Sequence, residues 1–207
     1  MDWKTHIHKE DIPSNLSFGP CLSLDCEMMG LDFRRDRLCI CQIHDPSSKD
    51  VHIIQFEGTN YDAPNLKKVL ADQNIHFLGH MIRLDLQFLG YYLQVIPENV
   101  LCTRTASRII RTFGASHDLD VLLKECLDVH LSKSQTCTDW GGRLNKDQIA
   151  YACKDVVYLK ALHDKLASAI EREDRMNLYR QAMKMLPSRV VLDIGGWKDE
   201  DILDFPF

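Results

Sequence analysis

No apolar run approaches the ~20 residues that a bilayer span needs. The N-terminus, "MDWKTHIHKEDIPS", lacks the apolar centre of a signal peptide and is not the Arg- and Ser-rich stretch of a transit peptide. These absences predict a cytoplasmic protein with no membrane partner. No C-x-x-C pair exists among the eight cysteines, which argues against a zinc site. Most of them sit in apolar periodic segments, where reduced cysteine acts as a small hydrophobe, so a disulfide framework is rejected. Positive charge is not in excess: 25 Lys and Arg stand against 30 Asp and Glu, a formal net charge of −5. A protein that coats nucleic acid non-specifically is usually basic, so any nucleic-acid chemistry here belongs to a local site. No internal repeat or low-complexity stretch occurs. What remains is 207 residues, 45% apolar, enough for one domain with a real core.

Residues 1–20 read as an irregular N-terminal arm. Strands are predicted at Cys21–Glu27, Leu38–His44 and Val51–Phe56, the last two joined by the turn-like "DPSSKD". Asn65–Ala71 reads as a helix, His76–Gly79 as a buried strand, Met81–Tyr92 as a helix and "NVLCT" as a short strand. Helices follow at Thr105–Phe113 and Asp118–Leu127, then one long helix from about Lys146 to Arg175. Asn145, with Gln148 three residues on, resembles a capping box and supports that start. A β-meander followed by alternating strands and helices predicts an α/β fold with a mixed sheet. The tail from residue 186 to 207 reads as an extension packed on the domain.

In "LSLDCEMMGLD", alternation along a strand turns Leu22, Leu24 and Cys26 one way and Ser23, Asp25 and Glu27 the other. Gly30 ends the strand, so both acids lie near its C-terminal end, where ligand sites form in open α/β sheets. Adjacent carboxylates repel, and burial makes each charge costlier. A hard divalent cation such as Mg²⁺ or Mn²⁺ removes both problems. A sheet-edge pair facing water, or an ion pair with Arg34 or Arg35, is the bland alternative. Asp85 is the single acid in an otherwise apolar helical turn, and Tyr151 and Asp155, four apart, share a helix face and flank the apolar stripe Ile149, Ala152, Cys153, Val156 and Leu159. Each of these taken singly reads equally as the edge of an amphipathic helix.

In order along the chain, the Asp-x-Glu strand, the later Asp after "GH", and the Tyr-x-x-x-Asp helix resemble the DEDD superfamily of 3′–5′ exonucleases. The match is to its tyrosine branch, because the histidine branch would need His where this chain has Ala150. "CTRTASRII", "LSKSQTCTDWGGRLNKDQIAYACKDVVYL" and "LDIGGW" are similar to the catalytic domain of ribonuclease D, and the resemblance covers nearly all of residues 12–197. It implies a ribonuclease H-like fold, a mixed five-stranded sheet flanked by helices, formed by the whole chain 1–207 as a single catalytic domain. It implies that Asp25, Glu27, Asp85 and Asp155 hold two divalent cations, Mg²⁺ or Mn²⁺, roughly 3.5–4 Å apart. One would activate the attacking water and the other would stabilise the leaving 3′ oxygen, with Tyr151 holding the water in line. The implied partner is RNA with a single-stranded 3′ end, tRNA precursors included. DNA stays open as an alternative because only contacts to the 2′-OH separate the two polymers. An inactive nucleic-acid-binding relative is the third reading, opposed by the presence of all four carboxylates and the tyrosine.

The chain departs from the family pattern at Met28, Met29, Gly30 and Leu31, where many relatives have Thr-Thr-Gly-Leu, and at Met81, where Asn is common. In the family the first segment holds the terminal nucleotide. Methionine offers apolar contact but no strong donor. Longer relatives carry C-terminal helical RNA-binding domains not found in these 207 residues, which predicts a weaker grip on RNA, lower processivity or reliance on a homo-oligomer. By resemblance Lys133 and Gln135 lie beside the site and contact substrate phosphates. His80 is a candidate substrate contact. Arg83 either contacts phosphate or pairs with an acid. Arg104, Arg108 and Arg111 share one helix face, either a phosphate-tracking stripe or a solvated surface, and Trp140 reads as a packing residue.

Overall fold

Alternating apolar residues and turn chemistry at "DPSSKD" build the middle of the sheet. In the computed structural model, which describes residues 3–111, 116–131, 139–200 and 202, β2 (Cys21–Met28), β3 (Leu38–Asp45) and β4 (Asp50–Gln55) form an antiparallel meander. Every residue of β3 is buried, as its near-continuous apolar composition requires of a strand covered on both faces. On the other side of β2, β5 (His76–Gly79) and β6 (Val100–Cys102) add in parallel. With β1 (Lys4–Lys9) the sheet has six strands in the order β1-β4-β3-β2-β5-β6. The fold is the expected mixed α/β sheet flanked by helices, with one strand more than the five read from the sequence.

The sixth strand corrects the reading of residues 1–20 as an irregular arm. β1 pairs in parallel with β4, Lys4 opposite Asp50 through Lys9 opposite Gln55. Its sequence, KTHIHK, carries a single aliphatic side chain, and that one, Ile7, is exposed, so hydrophobic alternation gives no signal. Polar cross-strand contacts hold it instead: His6 bonds Asp50 at 2.9 Å and His8 bonds His52 at 2.9 Å.

The helices are α1 (Pro64–Leu70), α2 (Arg83–Phe88), α3 (Thr103–Ile110), α4 (Leu119–Leu127), α5 (Lys146–Val157), α6 (Leu159–Arg172) and α7 (Met176–Leu192). α2 begins later than expected because Met81 adopts a left-handed backbone, φ 57°, and it passes into a π-helical turn, Leu89–Leu93. The single long helix expected over 146–175 is two, parted at Tyr158 (φ −96°, ψ −10°). No glycine or proline announces this break; the Tyr158 ring meets Trp3 edge-on at 6.5 Å. From residue 186 the chain stays packed on the domain, and it does so as helix. α7 runs through Pro187 to Leu192 and ends in a second π-helical turn, Asp193–Trp197. Burial of Tyr179, Met183 and Val190 along α7 outweighs the helix penalty of proline.

Two apolar clusters fill the molecule. The larger joins Leu22, Leu24, Phe77 and Leu86 to Leu162, Leu166 and Tyr179. The smaller joins Ile40, Val51 and Ile53 to Ala152, Cys153 and Val156, the stripe expected for α5. The seven described cysteines are free thiols. Among the described residues, no helix is long and apolar enough to cross a membrane.

Candidate active site

β2 turns Asp25 and Glu27 toward the layer that α5 occupies, since α5 packs on β2 and β3. The register places Asp25 opposite Gln42, whose amide donates to Asp25 Oδ2 at 3.2 Å. The expected capping box at the start of α5 forms in full: Asn145 Oδ1 accepts from the backbone N–H groups of Asp147 and Gln148, and Gln148 Oε1 accepts from Asn145 N–H. That start sets the helix phase, and one turn of α5 then presents Tyr151 and Asp155 together. Oxygens of Asp25, Glu27 and Asp155 lie within 4.8 Å of one another. Asp85, on α2, is buried beside them and accepts a hydrogen bond from Cys26 N–H at 3.1 Å. It lines the same cleft without joining the three-way convergence.

Burial and mutual repulsion dominate the electrostatics. Burial pushes the Asp25 carboxyl up to about 7, against hydrogen bonds from Cys26 and Gln42. Glu27 rises to about 10, first through burial and then through the charges of Asp25 and Asp155. Asp155 rises to about 8 for the same reasons, opposed by a hydrogen bond from Tyr151. Asp85 is driven far up by burial and the charge of Asp25. Burial and the three neighbouring carboxylates also raise Tyr151 well beyond the ordinary phenol value. Its hydroxyl is therefore a donor, which suits an orienting group and not a base. The only Lys or Arg among the described lining residues, Arg104, is held by Asp118 at 3.0 Å. A set of oxygen donors this close, with no free cationic side chain among the described lining residues, fits hard divalent cations.

The cleft has a volume of about 900 Å³ and is walled on one side by Met28, Met29, Gly30 and Leu31. Leu31 is 70% exposed and Met29 is 48% exposed, so apolar side chains stand free at its rim. A Cβ on Gly30 would overlap the Asp36 carboxylate, which explains why glycine is needed at this bend. His80 also lines the cleft. Burial, then the charge of Arg104, lowers its pKa to about 4, so it enters neutral chemistry as a hydrogen-bond group. Its Nδ1 meets Thr103 Oγ1 at 2.9 Å, and that hydroxyl donates to Gly79 C=O at 3.2 Å.

Arg83 is the correction among the candidates. Its guanidinium forms a two-pronged pair with Asp193, 2.7 Å from Nε and 2.6 Å from Nη2, and it does not line the cleft. Of its two readings, pairing with an acid is the one observed; helix phase turns it away from Asp85. Lys133 and Gln135 lie outside the described residues. Trp140 is buried in the smaller core, 6.1 Å from the Tyr151 ring, and backs that residue as a packing group. The arginine face of α3 is largely paired: Arg104 with Asp118, and Arg111 with Glu125 at 2.5 Å. Sequence reasoning missed Gln42, because nothing but the β2–β3 register links it to Asp25, and it missed Asp118 and Asp120, which enter the cleft wall from the start of α4.

Comparison with known proteins agrees with this fold. Brucella melitensis NrnC bound to pGG superposes with a TM-score of 0.91 at 35% identity, covering 99% of this chain and 100% of that one. The same protein with bound Mg²⁺ gives a TM-score of 0.89 at 35% identity, covering 98% and 99%. Ribonuclease D of Gluconacetobacter diazotrophicus is 27% identical over 159 residues, covering 76% of this chain. The chain spans only 40% of that relative's length. The domain family described as 3′–5′ exonuclease matches residues 4–171, a stretch that holds every carboxylate of the cleft and Tyr151. By that match the chain belongs to the 3′–5′ exonuclease family.

Proposed function

We propose that the protein is a divalent-metal-dependent 3′–5′ exoribonuclease that releases nucleoside 5′-monophosphates from RNA 3′ ends. The observation that carries the reading is the convergence of Asp25, Glu27 and Asp155 within 4.8 Å, with Tyr151 bonded to Asp155. Asp25, Glu27, Asp85 and Asp155 would hold two cations, Mg²⁺ or Mn²⁺, which lower the pKa of the attacking water and offset charge on the leaving oxygen. Tyr151, whose hydroxyl proton is held by Asp155, would accept a hydrogen bond from that water and fix it in line. The water oxygen bonds to phosphorus and the P–O3′ bond breaks; of the water's two protons, one ends on the 3′ oxygen of the shortened chain and the other leaves with the released 5′-monophosphate or passes to solvent. Met29 and Leu31 supply apolar surface for the terminal bases, and neutral His80 supplies a hydrogen bond. Lys133 and Gln135 belong to this reading as phosphate contacts.

The similarity to NrnC bound to pGG supports short oligoribonucleotides as substrates beside the 3′ ends of tRNA precursors. The test is a time course on 5′-labelled single-stranded RNA and DNA, from two nucleotides to twenty, with Mg²⁺, Mn²⁺ or EDTA. Wild type is expected to shorten RNA from its 3′ end, and EDTA or Asp155→Ala to stop it. A preference for DNA would move the reading to a DNA exonuclease. No shortening of either polymer with either metal would leave a nucleic-acid-binding protein.

A further inference from the structure

α2 carries Asp85, but even with the π-helical turn that continues it to Leu93 it is short, and it has no side-chain cap. A helix that short does not hold itself in place; its neighbours do. On one side, Asp85 Oδ1 accepts the Cys26 N–H of β2. Arg83 and Gln87, four apart, project from the opposite side. Both reach the same carboxylate, Asp193, which is fully buried at the end of α7. Asp193 accepts from Arg83 Nε at 2.7 Å, Arg83 Nη2 at 2.6 Å and Gln87 Nε2 at 2.5 Å, and Arg189 Nε lies 3.1 Å away. Four N–H contacts saturate a carboxylate. Rotating α2 about its axis would break them and leave a buried anion unpaired, a large penalty.

Asp193 therefore differs from the surface ion pairs of the molecule. Burial works to raise its pKa, and the hydrogen bonds from Arg83 and Gln87 with the charges of Arg83 and Arg189 outweigh it, so it stays ionised. The π-helical turn that follows fixes it further: Arg34 donates to Ile194 C=O at 3.2 Å, and Arg189 donates to Trp197 C=O at 2.9 Å.

We infer that Asp193 is a positioning residue for the metal site, clamping α2 from behind so that Asp85 faces Asp25. The inference rests on the proposed function above. It assigns Arg83 to this clamp and gives the segment after α7 a role in catalysis. Groups that orient metal ligands typically change metal affinity by 10–100-fold when removed.

The test is Mn²⁺ affinity without RNA, read from the free-ion signal in electron paramagnetic resonance, on wild type, Asp193→Asn, Arg83→Lys and Asp85→Asn. Circular dichroism identifies a temperature at which each is folded. Asp193→Asn is expected to weaken Mn²⁺ by about tenfold, to raise the Mn²⁺ needed for half-maximal rate in parallel, and to leave KM for RNA unchanged. Arg83→Lys keeps the charge, loses the two-pronged geometry, and is expected to shift in the same direction; it carries the test alone if Asp193→Asn does not fold. A destabilised protein with an intact site would lose folded fraction and keep its Mn²⁺ affinity. Wild-type affinity in both variants, with Asp85→Asn weakened, overturns the clamp. So does a raised KM in Arg83→Lys at unchanged Mn²⁺ affinity, which would make Arg83 a substrate contact. Wild-type affinity in Asp85→Asn instead overturns the metal-site reading itself.

Discussion

Asp25 stands where stability and chemistry conflict. Its carboxyl is raised to about 7 by burial, against roughly 3.9 in a free chain. A carboxyl whose pKa rises on folding favours the folded state only while protonated. Below about pH 4 it costs nothing; from there the cost grows, and it levels off above about pH 7. In EDTA the wild type is therefore expected to lose stability between pH 4 and pH 7. Asp25→Asn removes that loss and gains on the order of 1–3 kcal/mol at pH 7. The same variant is expected to abolish turnover. Urea denaturation in EDTA and in Mg²⁺ checks both halves: the variant should be the more stable protein in EDTA, and the wild type should close the gap in Mg²⁺. A variant less stable than wild type in EDTA would mean that Asp25 is a structural hydrogen-bond partner of Gln42 and Cys26 and not a strained ligand.

At the scale of elements, α5 shows how local chemistry places a site. Its start is set by the Asn145 cap, and a start shifted by one residue would turn Asp155 about 100° away from Asp25. Asn145→Ala is expected to lower stability by about 1 kcal/mol, seen as a shift in urea midpoint. Asn145→Asp is expected to keep the cap and the midpoint. Because Ala152, Cys153 and Val156 still dock on the sheet, the rate of Asn145→Ala is expected to fall by less than about tenfold, a cost near that of the cap itself. The cap, the α5 stripe and the β2 alternation were all legible in the sequence because each is written within one or two turns of chain. Asp25, Glu27, Tyr151 and Asp155 came with them. β1, the break at Tyr158 and the helical run through Pro187 were not legible. Each depends on a partner elsewhere: β1 on His52 and Asp50, Tyr158 on Trp3, and α7 on the interior it covers. Gln42 and Asp193 were hidden for the same reason, since Asp193 lies 110 residues from Arg83. Lys133 and Gln135 remain expectations from resemblance.

Across the whole molecule, the site lies on the seam between the two apolar clusters. Asp25 and Glu27 stand on β2, whose Leu22, Leu24 and Cys26 belong to the larger core and on which α5 packs; Asp85 comes from α2 on the larger core, and Asp155 from α5 on the smaller one. Without cations, the closest groups across that seam are carboxyls that burial and mutual repulsion keep from ionising together, and each one that ionises works against the contact of α5 with β2. A bound cation reverses the sign of that contact and joins elements that otherwise meet only through packing. Binding to the folded state alone adds about 2.7 kcal/mol at a ligand concentration of 100 Kd. The stabilisation is expected to be local as well as global. Hydrogen exchange with saturating Mn²⁺ should slow amides of α5 and α2 together, with little change in β1 at the far edge of the sheet. Asp155→Ala should remove the gain in α5 while that in α2 persists in part through Asp25 and Asp85. Uniform slowing across all elements, β1 included, would show that Mn²⁺ shifts only global unfolding, and the seam would then have no mechanical meaning.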